Sequence, residues 1–205
     1  MPEPLLSQQR AGLLRLSINR PPLNILDLPT LQALNVALRR ARADGQTRLI
    51  VLTSEGERAF CAGVDVRDHL PGKDADMIAA VQDQYRAFAE LTAAAIPSVA
   101  LVKGLALGGG CELAALCDTL VAREDAQFGL PEIKLGVFPP LAAALFHRRL
   151  APRAALRLML TGERINAAEA YRLGLAHQVL ATDRFHDDSE ELLLMLAMLG
   201  SGQRR

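Results

Sequence analysis

The sequence predicts an α/β fold in which helices pack on short buried strands, and three observations carry that expectation. Apolar runs rich in β-branched residues recur at 48–53 (RLIVLT) and 98–102 (SVALV), too short for helices and bounded by polar or glycine-containing segments. Amphipathic stretches of helical length alternate with them. The richest glycine segment of the chain, GLALGGG at 104–110, directly follows the second run, where a strand would hand over to a helix.

In chain order, residues 12–18 (GLLRLSI) suit a strand, and Asn19-Arg20-Pro21-Pro22 stops it because two prolines cannot continue a ladder. A helix follows: Asp27 is placed to cap it, Pro29 fits its first turn, and Leu31, Leu34 and Leu38 share one face up to about Arg42, with Asp44-Gly45 as the stop. The strand at 48–53 leads into the loop SEGERAFCAGVD. A long amphipathic helix then runs from about Asp74 to Ala94 and closes at Pro97, ahead of the strand at 98–102. After the glycines, residues 111–116 are strong helix formers, and a returning strand is expected at 118–122. No repeat of fixed period and no low-complexity linker divides the chain.

The chain has 205 residues, 23 basic and 23 acidic side chains and 50% hydrophobic residues. That length suits one domain, which should bury roughly 70% of the surface its unfolded form exposes, so no disulfide or metal is needed to hold it. Zero net charge leaves no electrostatic footprint for nucleic acid or another polyanion. The longest purely apolar run, 192–199, has eight residues, against the roughly 20 of a membrane-spanning helix. The N-terminus, MPEPLLSQQR, carries Glu3 where a secretory signal would be basic, so a cytoplasmic location is expected. Cys61, Cys111 and Cys117 form no C-x-x-C pair and meet no histidine at zinc-finger spacing, which points to reduced thiols in the core or near the site and no structural metal. His69, His147, His177 and His186 are scattered and read as surface or packing residues.

The chemistry concentrates in residues 98–118, SVALVKGLALGGGCELAALCD. Gly108, Gly109 and Gly110 let the backbone turn sharply and let a ligand approach main-chain N–H groups with no Cβ in the way. They also open a helix, whose unpaired amides and dipole favour developing negative charge, so the segment outlines an anion or oxyanion site. A tight strand-to-helix turn packed on a neighbour is the plainer explanation. Neither G-x-x-x-x-G-K-[ST] nor G-x-G-x-x-G is present, which disfavours phosphate cradling and a dinucleotide.

Glu112 falls in the first turn of that helix, where an acid complements the dipole whether or not it does chemistry. Glu132, in FGLPEIKLG, follows Pro131 at a second helix start. A helix of about eight residues advances roughly 12 Å, and a returning strand of about four spans roughly 13 Å. The chain can therefore bring Glu132 back towards Glu112, giving two carboxylates beside an oxyanion site, a pair suited to moving protons and holding a water molecule. A second backbone donor would come from near Val64 in the loop 59–65, which otherwise reads as an ordinary glycine-containing connection.

Three strings in this order, AFCAGVDV (59–66), GLALGGGCELAALCD (104–118) and FGLPEIKLG (128–136), resemble the enoyl-CoA hydratase/isomerase family, the crotonases. The similarity covers about residues 12–180 and includes TGERINAAEAYRLGLAHQVL at 161–180. The resemblance implies a crotonase-like spiral of ββα units forming a single domain over 1–205, with the core at about 1–185, a short C-terminal helix and tail at 186–205, and a shortened C-terminal helical part. It further implies an acyl-CoA thioester substrate, coenzyme A being part of the substrate with no separate cofactor. An oxyanion hole from the N–H groups of Val64 and Gly109 would hold the thioester oxygen. The main chain at Ala62, Asp65 and Val66 would line the CoA moiety, and Arg67 is a candidate for its phosphates. By carry-over Glu112 would activate the water that attacks the β-carbon, and Glu132 would exchange the proton at the α-carbon, the two titrating as a pair.

After Gly136, where hydratases of the family have a glycine-rich stretch, the sequence reads Val137-Phe138-Pro139-Pro140-Leu141-Ala142-Ala143-Ala144, so a bulkier, more apolar acyl pocket including Phe138 is expected. Together with RPPLNILD, this looks like the hydratases of cyclohexa-1,5-diene-1-carbonyl-CoA, in fatty acid or aromatic acid degradation. The expected activity is hydration of an enoyl-CoA, linear or cyclic. Isomerisation, hydrolysis, or CoA binding without turnover stand as alternatives. The family implies a homo-oligomer, trimer or hexamer. Ser189-Glu190-Glu191 would cap a last helix whose body, LLLMLAML, is apolar nearly all round and should be buried, at a subunit interface or across the core.

Overall fold

The computed structural model describes residues 3–65 and 74–199. A hairpin opens the chain: β1 (Leu5–Arg10) and β2 (Leu13–Ile18) pair antiparallel from Leu5 opposite Ile18 to Arg10 opposite Leu13. Ala11 and Gly12 take φ of 51° and 86°, the left-handed pair that a two-residue hairpin turn demands. The sequence does not announce β1, because all its side chains but Leu5 and Leu6 are polar and its burial pattern has no buried position.

Helix α1 (Leu28–Ala43) begins as expected, with the Asp27 side chain accepting from the Thr30 N–H at 3.0 Å and Leu31, Leu34 and Leu38 buried. From there the chain winds as a spiral of ββα units. Each turn lays a strand in a large sheet, then a three-residue strand in a small one, then a helix. The units are β3 (Leu49–Ser54), β4 (Ala59–Cys61) and α2 (Asp74–Ala93), then β5 (Ser98–Val102), β6 (Leu105–Leu107) and α3 (Gly109–Leu116). In the third, β7 (Thr119–Arg123) and β8 (Gln127–Gly129) lead to a 3₁₀ turn at Pro131–Leu135 and then α4 (Pro140–Arg149). Next come α5 (Pro152–Thr161), β9 (Arg164–Asn166), α6 (Ala167–Leu173), β10 (Gln178–Leu180) and α7 (Phe185–Leu199).

The large sheet has the order β1-β2-β3-β5-β7-β10, parallel from β2 onward, and the small one the order β4-β6-β8-β9. Parallel strands need cover on both faces. One face meets α1, α2 and α3 in the main core, with Phe60, Phe128 and Phe146 fully buried. The other receives α7, through Phe185 and Leu193 on Val51, Leu101 and Val121.

The last helix corrects the expected cap. It starts at Phe185, and the Ser189 hydroxyl, already inside it, donates back to the His186 carbonyl at 2.9 Å instead of capping. The sheet covers one side of the helix, so on the single chain Leu193 is inside while Leu194, Met195 and Met198 are 62%, 48% and 68% exposed. Among the described residues no helix is long and apolar enough to cross a membrane, and no group of three or more His, Cys, Asp or Glu side chains could hold a metal.

Candidate active site

The short strands of the small sheet end together, and the segments leaving them make the site. After β4, Ala62, Gly63, Val64 and Asp65 run beside residues 23–26, the segment that the two prolines detach from β2. The Ala62 N–H donates to the Leu23 carbonyl, the Leu26 N–H to the Gly63 carbonyl and the Asp65 N–H to the Leu26 carbonyl, each at 2.9 Å. In this parallel bridge the bonds to Leu26 come from Gly63 and Asp65, so the N–H of Val64 itself points to the opposite side, towards α3.

Asn24 makes this arrangement. It is fully buried with φ of 50°, a conformation asparagine tolerates better than most residues. Its Nδ2 donates to the carbonyls of Glu55 at 2.9 Å and Ala59 at 2.7 Å, and its Oδ1 accepts from the Arg20 N–H at 2.9 Å. The Arg20 guanidinium in turn holds the Ile25 carbonyl at 2.6 Å and Asp27 at 3.1 Å. Sequence reasoning missed Asn24; an asparagine just after Pro-Pro, in a segment lacking strand or helix periodicity, was the available signal.

The glycines at 108–110 are each fixed by a neighbour. Gly108 has φ of 52°, and a Cβ there would lie 2.8 Å from Glu132 Oε1. A Cβ on Gly109 would stand 2.5 Å from Val64 Cγ2 and 3.7 Å from Val64 N, and one on Gly110 would strike the Cys61 carbonyl. The tight turn is thus packed directly against Val64. Close packing requires glycine, and it brings the Val64 amide against the first residue of α3, whose N–H has no partner within the helix.

Glu112 lies one turn into α3 and is 5% exposed. Its Oε1 accepts from the Ala142 N–H at 2.7 Å, so this carboxylate from α3 caps α4. Burial pushes its pKa up to about 7, against the pull of the Ala142 and Leu141 amides, and the charge of Glu132 adds to the rise. Glu132 enters the site on the 3₁₀ turn that stands where a regular helix start was expected. Burial raises its pKa too, and its Oε2 is a buried oxygen with no hydrogen-bond partner among the described residues. The Glu132 carboxylate sits over the Gly108 α-carbon, and its charge is near enough to raise Glu112, so the two acids lie close together.

Of the other expected site residues, Ala62 is half-buried and Asp65 buried beside Val64, whereas Val66 and Arg67, like His69, lie outside the described residues. Phe138 precedes α4 and is 56% exposed. The expectation for the cysteines holds: all three are buried free thiols, and burial pushes Cys61 up to about 12 and raises the others. His177 is a packing residue, its Nδ1 accepting from the Leu120 N–H at 3.0 Å.

Such a site can polarise a carbonyl with two backbone amides and handle protons with two carboxylates held above their ordinary pKa. The profile of the family described as Enoyl-CoA hydratase/isomerase matches residues 8–201. A probable enoyl-CoA hydratase of Rhizobium meliloti is 40% identical over 190 residues, covering 89% of this chain and 70% of the relative. The cyclohexa-1,5-dienecarbonyl-CoA hydratase of Thauera aromatica is 36% identical over 176 residues, 86% of this chain and 66% of that protein. Among solved structures, an enoyl-CoA hydratase subunit of Geobacillus kaustophilus superposes with a TM-score of 0.83 at 31% identity, over 95% of this chain and 75% of that one.

Proposed function

The chain belongs to the enoyl-CoA hydratase/isomerase family, and from that premise we propose that it adds water across the α,β double bond of an enoyl-CoA thioester. The observation that carries this reading is the proximity of two raised-pKa carboxylates, Glu112 buried and Glu132 half-buried, the latter set against the glycine turn that faces the Val64 amide.

The thioester oxygen accepts from the N–H groups of Val64 and Gly109, which stabilise it as it takes on enolate charge. Each such donor contributes about 3–4 kcal/mol to lowering the barrier. Glu112 draws one proton from a water molecule as its oxygen bonds to the β-carbon. Glu132, whose free Oε2 is available for it, delivers a proton to the α-carbon as the enolate collapses. The substrate gains one hydroxyl and one hydrogen, and the pair ends with the same number of protons it began with. The 2.7 Å bond from Ala142 keeps Glu112 in place through the cycle. Coenzyme A enters as part of the substrate, lying along Ala62 and Asp65, and the chemistry calls for no separate cofactor.

We also infer self-association, supported by the apolar stripe Leu194, Met195 and Met198 on the outer side of α7. Sedimentation at micromolar concentration tests it: a homo-oligomer is expected, and a stable monomer contradicts it. For the chemistry, the test is product mass from a panel of enoyl-CoA substrates. Hydration adds the mass of one water, whereas isomerisation leaves the mass unchanged.

A further inference from the structure

Three crossovers carry the chain from the large sheet to the small one, between β3 and β4, between β5 and β6, and between β7 and β8. Each of the short strands then runs on to one part of the candidate site: Val64 after β4, Gly109 after β6 and Glu132 after β8. One ionic cluster joins all three crossovers. Glu57, in the first, accepts from the Lys103 ammonium of the second at 2.9 Å and from Arg123 Nη1, where the third begins, at 2.5 Å. Arg123 also forks onto Asp125 of its own crossover, Nε to Oδ1 and Nη2 to Oδ2, each at 2.7 Å. The cations are sheltered, the Lys103 and Arg123 side chains being 18% and 10% exposed, whereas Glu57 and Asp125 face solvent at 73% and 45%. Hydrogen bonds from Arg123, and for Glu57 from Lys103 as well, hold both carboxyls below the ordinary carboxylate range, so the cluster stays ionised at neutral pH.

We propose that Arg123 is a positioning residue: through Glu57 and Asp125 it locks the three crossovers together, and so sets where β4, β6 and β8 deliver Val64, Gly109 and Glu132. The inference rests on the proposed hydration and adds to it a residue that acts from a distance, since roughly 20 Å of extended chain separates the cluster from the site. The short strands need such a lock. Each has three residues, and the β4–β6 ladder matches only Ala59 with Leu105 and Cys61 with Ala106, with a register shift between them. A ladder this short specifies its own register weakly. Main-chain bonds pass a displacement from one segment to the next. At the crossovers the Leu105 N–H donates to the Arg58 carbonyl at 3.1 Å and the Gln127 N–H to the Gly104 carbonyl at 2.9 Å. At the site end the Gly108 N–H donates to the Gly129 carbonyl and the Leu26 N–H to the Gly63 carbonyl, both at 2.9 Å. A shift of about 1 Å in groups aimed at a reacting centre can lower a rate about 10²-fold.

The test pairs turnover with a readout that needs none. Steady-state kinetics use crotonyl-CoA, or the fastest member of the enoyl-CoA panel, and native-state hydrogen exchange is read at the Leu26 and Gly108 amides. Arg123→Met should fold, because the two acids it leaves behind face solvent. Its kcat is expected to fall about tenfold or more with KM within about twofold, and exchange at both amides to quicken about fivefold or more. Arg123→Lys, whose one ammonium lacks the planar fork, should lie between Arg123→Met and wild type. Adding Glu57→Gln to Arg123→Met should change little further, since the two share one interaction. Arg172→Met removes an ion pair to Glu169 on α6 and should leave the rate and both amides as in wild type. If Arg123→Met does not fold, Glu57→Gln alone, at its exposed position, carries the same expectations. A wild-type rate, a loss confined to KM, a lower kcat with unchanged exchange, or an equal loss in Arg172→Met overturns the positioning role and leaves the hydratase reading standing. If the wild-type chain hydrates nothing, but exchange quickens in Arg123→Met and not in Arg172→Met, the lock holds and the chemistry fails. If neither is seen, both fail.

Discussion

Glu112 Oε1 accepts a hydrogen bond from the Ala142 N–H at 2.7 Å, joining two residues 30 positions apart. A buried acid of α3 therefore serves as the cap of α4, whose own N-cap position is Pro139, with no side-chain oxygen to offer. The bond fixes the carboxylate without neutralising it, and burial leaves it poised near neutrality.

This poise has a cost in stability. The folded-state pKa of Glu112 is raised from 4.5 to about 7, so the folded protein keeps a proton that the unfolded chain gives up between those values. Stability falls as the pH rises through that window. Glu112→Gln keeps an acceptor for Ala142 and has no charge to bury. It should be more stable than wild type above pH 7, by roughly 3 kcal/mol at most, with the gain gone at pH 4.5. Urea unfolding at the two pH values measures it; a gain equal at both contradicts the assignment.

The same pair sets the pH dependence of the rate. The working state holds one proton between two carboxylates, so kcat/KM should be bell-shaped. It rises as the first proton leaves, above the ordinary carboxylate range because burial raises both acids, and falls as the second leaves near pH 7. A profile flat across neutrality removes the pair from the mechanism.

Gly109→Ala would put a methyl group 2.5 Å from Val64 Cγ2 and force apart the two amides meant for the thioester oxygen. The expected loss is about 10²–10³ in kcat with a small change in KM, since the interaction matters where charge develops. Steady-state kinetics decide; a loss confined to KM would mean the turn only binds.

Asn24 holds the chain segment that bridges to Val64, the other proposed donor. Asn24→Ala leaves the Glu55 carbonyl without its side-chain donor and places alanine at φ of 50°, with an expected cost of about 2–4 kcal/mol. Asn24→Gly, free at that φ, should recover about 1 kcal/mol of it. Chemical denaturation of the two variants tests the split, and equal losses would assign the whole effect to hydrogen bonds.

Asn24 also marks what the sequence can disclose. Runs with their own period or composition were legible: β3 and β5 by apolar continuity, α1 by its cap and leucine spacing, and the turn into α3 by three glycines. Glu112 and Glu132 stood out once a returning strand could bring them together. The strands of the small sheet have three residues each, too few to display alternation. The bridge from Leu26 to Val64 is a main-chain contact between distant segments, and the bond to the Glu112 carboxylate is donated by the main-chain N–H of Ala142, a group that every residue type except proline provides. Side-chain types and their spacing were therefore readable, and the backbone that positions them was not.

The central claim is that Glu112 and Glu132 act together on water and an enoyl thioester, and the most direct test is the product mass after incubating enoyl-CoA substrates with wild type, Glu112→Gln and Glu132→Gln. The account predicts that wild-type protein adds the mass of one water and that either variant, folded and still binding acyl-CoA, loses the rate by orders of magnitude. No mass gain with any substrate, or full activity in either variant, would contradict it.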